Sequence, residues 1–137
     1  MNLLRISALA LLATACASSI RSFTYPPSFE YIPQDRLQSS MWKMAQDIKT
    51  LERNLQDATS SSPQRRQNLL STLDDMEAIM RALRPGSSSH PLLNRHGDEF
   101  LRSVQQAKLG LQQEPSNDFF AAQLSGACKN CHKDAAR

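Results

Sequence analysis

The spacing of apolar residues in two adjacent segments constrains the fold of this chain most strongly. Between Pro33 and about Asp57, apolar residues recur in steps of four and three, the repeat of one face of an α-helix. The same steps recur in the next segment, which begins with Ser62 as a helix cap and Pro63 as the first helical residue and stops at Pro85. The residues on the two stripes are Leu37, Met41, Met44, Ile48, Leu51 and Leu55, and then Leu69, Leu73, Met76, Met80 and Leu83.

Two further helical segments complete the predicted domain. The third runs from Pro91 to about Gln113, and the fourth begins near Ser116 and continues to the end. The residues expected to face inward are Leu93, Phe100, Val104 and Leu111 in the third, and Phe119, Phe120, Leu124, Ala127 and Cys131 in the fourth. Short loops make sequential helices antiparallel neighbours. The sequence therefore predicts an all-α fold, an antiparallel up-down-up-down four-helix bundle, whose core has room for a planar cofactor.

The first 15 residues are predicted to form a secretory signal peptide. A positive charge at Arg5 precedes an apolar run over residues 6–12, and small residues follow at positions 13–15. The apolar run is too short to cross a bilayer, which takes about 20 residues. Residues 16–32 are then expected to be a linker, and residues 33–137 the bundle domain.

Cys16 follows the small residues at once, and this arrangement resembles a bacterial lipobox, with Ala13 in the place where that pattern prefers Leu. The resemblance implies a lipid on Cys16 and attachment to a membrane on its periplasmic side. The alternative is cleavage to a soluble periplasmic protein.

The charge of the chain gives no argument for nucleic acid as a partner. Its formal net charge is +3, from 16 basic and 13 acidic residues. No basic block and no interleaved aromatic patch accompanies this small excess.

The motif Cys128-Lys129-Asn130-Cys131-His132 is the sharpest chemical feature of the chain. On a helix, positions 128, 131 and 132 are related by i, i+3 and i+4, so all three side chains share one face. Two thiols can then bond the vinyl groups of a haem while the imidazole of His132 reaches the iron from the same side. The spacing predicts covalently bound heme c.

Other uses of the motif remain open on the residues alone. A thioredoxin-like thiol pair usually stands at a helix start in a βαβ context, which this chain lacks. A structural zinc site needs four ligands, and only His90 or His96 could complete the set. A simple disulfide would leave the adjacent His132 without a role.

A four-helix bundle with its Cys-x-x-Cys-His motif on the last helix resembles the cytochrome c-prime family. The similarity covers roughly residues 33–137. Its C-terminal piece, Gly126 to Asp134, is similar to the haem helix of that family, and Gln38-Ser39-Ser40-Met41 is similar to the segment that faces the distal side of the haem. The family's basic residue after the haem histidine has a counterpart in Arg137, about one residue later than expected.

The resemblance implies that His132 is the proximal iron ligand and that Met41 occupies the distal position. A bound thioether would give a six-coordinate iron suited to electron transfer. Met41 also lies on the apolar stripe, where a methionine commonly serves as core. Met44 is the substitute ligand one turn on, and His96 is expected near the haem edge. Trp42 should point about 100° away from Met41, toward packing or a subunit contact.

We expect an exported, monohaem one-electron carrier that meets redox partner proteins and is not an enzyme. A peroxidase would need a distal acid–base group, and the first helix supplies Met and Ser instead. The alternative is a protein that binds NO or CO at a five-coordinate or labile iron for storage, detoxification or sensing. The family resemblance also implies a homodimer as one oligomeric state.

Overall fold

The computed structural model describes residues 29–57, 62–84, 87–88 and 90–135. The predicted signal peptide, Cys16 with its predicted lipid and Arg137 lie outside these residues. The helices are α1 (Gln34–Gln56), α2 (Ser62–Ala82), α3 (Pro91–Gln112), α4 (Phe119–Ala122) and α5 (Leu124–Ala135), and two short strands are β1 (Phe29–Glu30) and β2 (Ser87–Ser88).

The described part of the chain is an all-helical fold in which four longer helices pack against one another. Helix α1 packs on α2, α2 on α3, and α3 on both α4 and α5. The two strands form one parallel pair, with Phe29 opposite Ser87 and Glu30 opposite Ser88. This pair joins the segment before α1 to the connection between α2 and α3, a contact that the sequence did not predict.

The predicted apolar stripes do form the core, but they are not buried to the same degree. Every stripe residue of the second segment is buried, and so is the predicted inner face of α3. On α1, only Met44 and Leu51 are fully buried, while Leu37, Met41 and Ile48 are partly exposed. Helix α2 is covered by neighbours on two sides, whereas part of the α1 stripe borders a cavity.

Ion pairs reinforce the packing between α2 and α3. Nζ of Lys108 lies 3.0 Å from a carboxylate oxygen of Glu77 and is also paired with Asp74. After α2, the guanidinium of Arg84 is paired with Asp98 on α3. The Arg84 side chain crosses α3 at Gly97, where a Cβ atom would collide with it.

The fourth helix differs from its prediction, because it begins later and is broken at Gln123. Ser116 and Asn117 instead close the end of α3. The Ser116 hydroxyl donates to the Leu111 carbonyl at 3.1 Å, and the Asn117 N–H donates to the Gly110 carbonyl at 2.9 Å. A Cβ at Gly110 would lie 2.6 Å from the Asn117 carbonyl oxygen, so glycine permits this close approach.

The inward orientation predicted for Phe119 and Phe120 is wrong. Their exposed fractions are 56% and 40%, and the two rings pack edge to face on the surface. The inward orientation predicted for Leu124 is confirmed, and Ala121, on the other side of the break at Gln123, is buried as well.

Candidate functional site

A cavity of about 370 Å³ lies among α1, α3 and α5, with Met80 of α2 also on its wall. Its volume is within the range of protein sites for small molecules and cofactors. The helices α1 and α5 both line it, yet they are not among the closely packed helix pairs of the described chain. The cavity therefore occupies the gap that the bundle leaves between its first and last helices.

The wall contributed by α5 contains the motif. Cys128, Cys131 and His132 all line the cavity, together with Ala127. Because these positions are spaced by three and four residues on a continuous helix, the predicted shared face is present. Both thiols are free and partly buried.

Burial raises the pKa of the Cys128 thiol, and repulsion by Cys131 adds to this effect. Burial likewise raises the pKa of the Cys131 thiol, and the carboxylate of Asp134 adds to it. A reactive thiol pair needs a lowered pKa, since the thiolate is the nucleophile. The surroundings of these two cysteines therefore favour neutral thiols.

The wall contributed by α1 is rich in thioether sulfur. Met41 and Met44 both line the cavity, as predicted from their shared stripe. Met44 is buried, with 4% of its surface exposed, while Met41 is only partly buried. Met80 of α2 is a third methionine at this cavity and one that the sequence treated only as core. Trp42 is 66% exposed and points away, as its helical position predicted.

The wall contributed by α3 includes Leu93, Phe100 and His96. The His96 ring is mostly buried, and its Nε2 lies 3.0 Å from Oδ2 of Asp134 on α5. His90 is the residue that precedes α3, in extended conformation, which agrees with the capping position expected from the following proline. The structure thus brings His96, but not His90, to the cavity.

Charged groups on the cavity wall are few. Lys49 and Glu52 stand on α1, and Glu99 stands on α3. The remaining lining is predominantly apolar, which would exclude water from a bound planar group. Among the described residues, no cluster of three or more His, Cys, Asp or Glu is arranged to hold a bare metal ion.

None of the described helices combines the length and the hydropathy needed to cross a membrane. In comparisons with known proteins, no family model, curated protein or solved structure matches the chain. The cavity and its lining are therefore the features from which a function can be inferred.

Proposed function

We propose that this chain is an exported, monohaem c-type cytochrome that transfers one electron at a time. The observation that carries the proposal is the meeting of the haem-attachment motif with an apolar cavity on one face of α5.

The residues at the cavity fit a haem. Two neutral thiols and one imidazole line the same wall, which is the donor set that covalent attachment and axial ligation require. Cys128 and Cys131 would hold the porphyrin through thioether bonds, and His132 would ligate the iron. When bound, the haem supplies a one-electron Fe(III)/Fe(II) couple.

The other walls would control that couple. Leu93, Phe100 and Ile48 exclude water and lower the local dielectric constant, which favours the less charged reduced state. Met41 is the proposed distal ligand, and Met44 is its neighbour on the same face of α1. A thioether ligand raises the reduction potential of a haem.

We extend the proposal to the relative direction of the helices and to the location of the protein in the cell. The short connections between successive helices support an antiparallel up-down-up-down order like that of the cytochrome c-prime family. The leader over residues 1–15 supports export to the periplasm, with a lipid on Cys16 as the means of attachment. Redox partner proteins would exchange electrons with the haem.

The test is production of the full-length chain in a bacterial host with haem c maturation machinery. We expect a mature protein heavier by one haem, a covalent haem signal after denaturation and a reversible one-electron redox titration. The double variant Cys128→Ser, Cys131→Ser should lose the covalent haem entirely. The matched variant Cys16→Ser should keep it, because Cys16 lies outside the motif. A wild-type protein without covalent haem would overturn the proposal.

A second candidate, binding of NO or CO, is favoured by the predominantly apolar lining of the cavity around Met41, which suits small uncharged ligands. Such a ligand would take the distal position where Met41 does not hold the iron. Optical spectra of the reduced protein with and without CO distinguish the two functions. Sharp bands that CO leaves unchanged support electron transfer, and loss of those bands in Met41→Leu identifies the ligand. A high-spin spectrum that changes with CO supports gas binding.

A further inference from the structure

A partly buried contact joins the α3 wall of the cavity to the end of α5. Nε2 of His96 lies 3.0 Å from Oδ2 of Asp134, across 38 positions of sequence. A carboxylate can only accept a hydrogen bond, so the ring N–H is the donor. The exposed fractions of the two side chains are 18% and 29%, which shields the bond from solvent.

This contact lies close to His132 in the sequence of α5. Asp134 is two residues beyond His132, in the last turn of α5 before Ala135. The main packing partners of α5 are α3 and α4, because the cavity separates it from α1. The last turn therefore depends on α3 for its position, and His96 is the residue on the cavity wall that reaches it.

A second, weaker contact to the same carboxylate comes from Arg95. Its guanidinium lies 3.8 Å from Oδ2 of Asp134, and the side chain is 67% exposed. Exposed pairs at this distance contribute little, since water and salt screen them. Arg95 therefore provides a control for His96, because it lies on the same helix and contacts the same carboxylate but does not line the cavity.

We propose that His96 is a positioning residue, which holds Asp134 and so fixes the last turn of α5 and the direction of the His132 imidazole into the cavity. The part of this inference that concerns iron ligation rests on the proposed haem function. The part that concerns the order of α5 does not. Residues that orient a ligand in this way commonly tune a metal site without touching the metal.

Hydrogen–deuterium exchange of the full-length protein tests the order of α5. In His96→Leu, which fills similar space but has no donor, we expect the amides of the last turn of α5 to exchange about fivefold to tenfold faster, the factor corresponding to one lost hydrogen bond. His96→Gln can still donate to Asp134 and should exchange nearly as slowly as the wild type. Arg95→Gln should leave exchange unchanged.

The variant Asp134→Ala removes the acceptor of the same hydrogen bond and changes no residue of the cavity wall. It should accelerate exchange as much as His96→Leu, which keeps the test valid if the leucine variant does not fold. Equal exchange in wild type, His96→Leu and Asp134→Ala would overturn the proposal.

The haem-loaded protein gives a second readout. Its ferric electron paramagnetic resonance signal should change from one species to a mixture in His96→Leu and return to one species in His96→Gln. The same spectral change in both variants would indicate that His96 touches the iron itself, and it would contradict a positioning role. If no haem attaches but the exchange pattern holds, only the proposed function fails. If haem attaches and exchange does not respond, only this inference fails.

Discussion

The interface between α2 and α3 and the gap between α1 and α5 are lined by similar residues. The interface is fully packed, whereas the gap contains a cavity. In the first, Leu73 and Val104 are completely buried, and Lys108 joins the two helices through acidic partners on α2. In the second, apolar side chains line a cavity of about 370 Å³ that no side chain fills.

Protein interiors pack as densely as organic crystals and rarely contain voids much larger than a water molecule. No side chain fills the gap, and the proposed haem would occupy it. The cysteines, the histidine and the methionines all border the gap and not the closed interface. The closed interface therefore stabilises the bundle, whereas the gap borders the residues that we propose to bind haem.

The largest expected effect is on the closed interface. Leu73→Ala should lower the free energy of unfolding by about 3–5 kcal/mol, because a leucine with no exposed surface leaves a cavity behind. Urea unfolding measures this loss. The matched change Leu109→Ala, at a residue 63% exposed on α3, should cost no more than about 0.5 kcal/mol. Similar losses in the two variants would mean that the interface is not closed.

Larger side chains should destabilise the closed interface more than they destabilise the cavity wall. Ala107→Leu enlarges a fully buried residue of α3 and should cost about 1–3 kcal/mol through overpacking. Ala127→Leu enlarges a residue that borders the cavity, so the haem-free protein should lose less than about 0.5 kcal/mol. The same variant should reduce the yield of covalent haem. If Ala127→Leu destabilised the haem-free protein as much as Ala107→Leu, the cavity would not be open in solution.

A smaller effect concerns the ion pairs across the closed interface. Lys108→Met should cost up to about 1 kcal/mol in low salt, and less in high salt. Hydrogen bonds from Arg81 and Lys108 lower the pKa of Glu77 below its usual value of 4.5. Their stabilising contribution is therefore present above pH 4.5 and is lost as the pH falls further, because Glu77 then takes up a proton.

Urea unfolding at several pH values measures this dependence. The difference between the wild type and Lys108→Met should persist at pH 7 and shrink below pH 4.5. Lys129 is an exposed lysine on α5, away from the interface between α2 and α3, so Lys129→Met provides the control. A constant difference across this pH range would contradict the assigned pairing.

The smallest effect is a gain. Burial, with repulsion from Asp75 on α2, raises the pKa of Asp47 on α1 above 3.8. A raised pKa favours the protonated form in the folded chain, so the carboxylate destabilises the fold increasingly as the pH rises above 3.8, and fully above the raised pKa. Asp47→Asn should stabilise the protein at pH 7 by no more than about 0.5 kcal/mol, since solvent screens the charge. The gain should vanish near pH 3, and thermal unfolding at the two pH values measures it.

The sequence alone determined the features that depend on neighbours within one or two helical turns. The four-and-three repeat predicted α1 and α2, and the apolar positions after Pro91 predicted α3, each to within about three residues at its ends. The predicted faces of α2 and α3 are buried, and that of α1 is buried in part. The spacing of Cys128, Cys131 and His132 likewise placed them on one face of a helix. These inferences hold because helical geometry converts sequence spacing directly into direction.

Only the tertiary structure decided which groups meet across long separations. It ended α3 with Ser116 and Asn117, broke the last helix at Gln123 and left Phe119 on the surface. It also brought His96 to Asp134 and Met80 to the cavity. No periodic pattern encodes such contacts, because they depend on how whole helices pack together, and a side chain's local spacing is the same whether its face meets a neighbouring helix, a cavity or water.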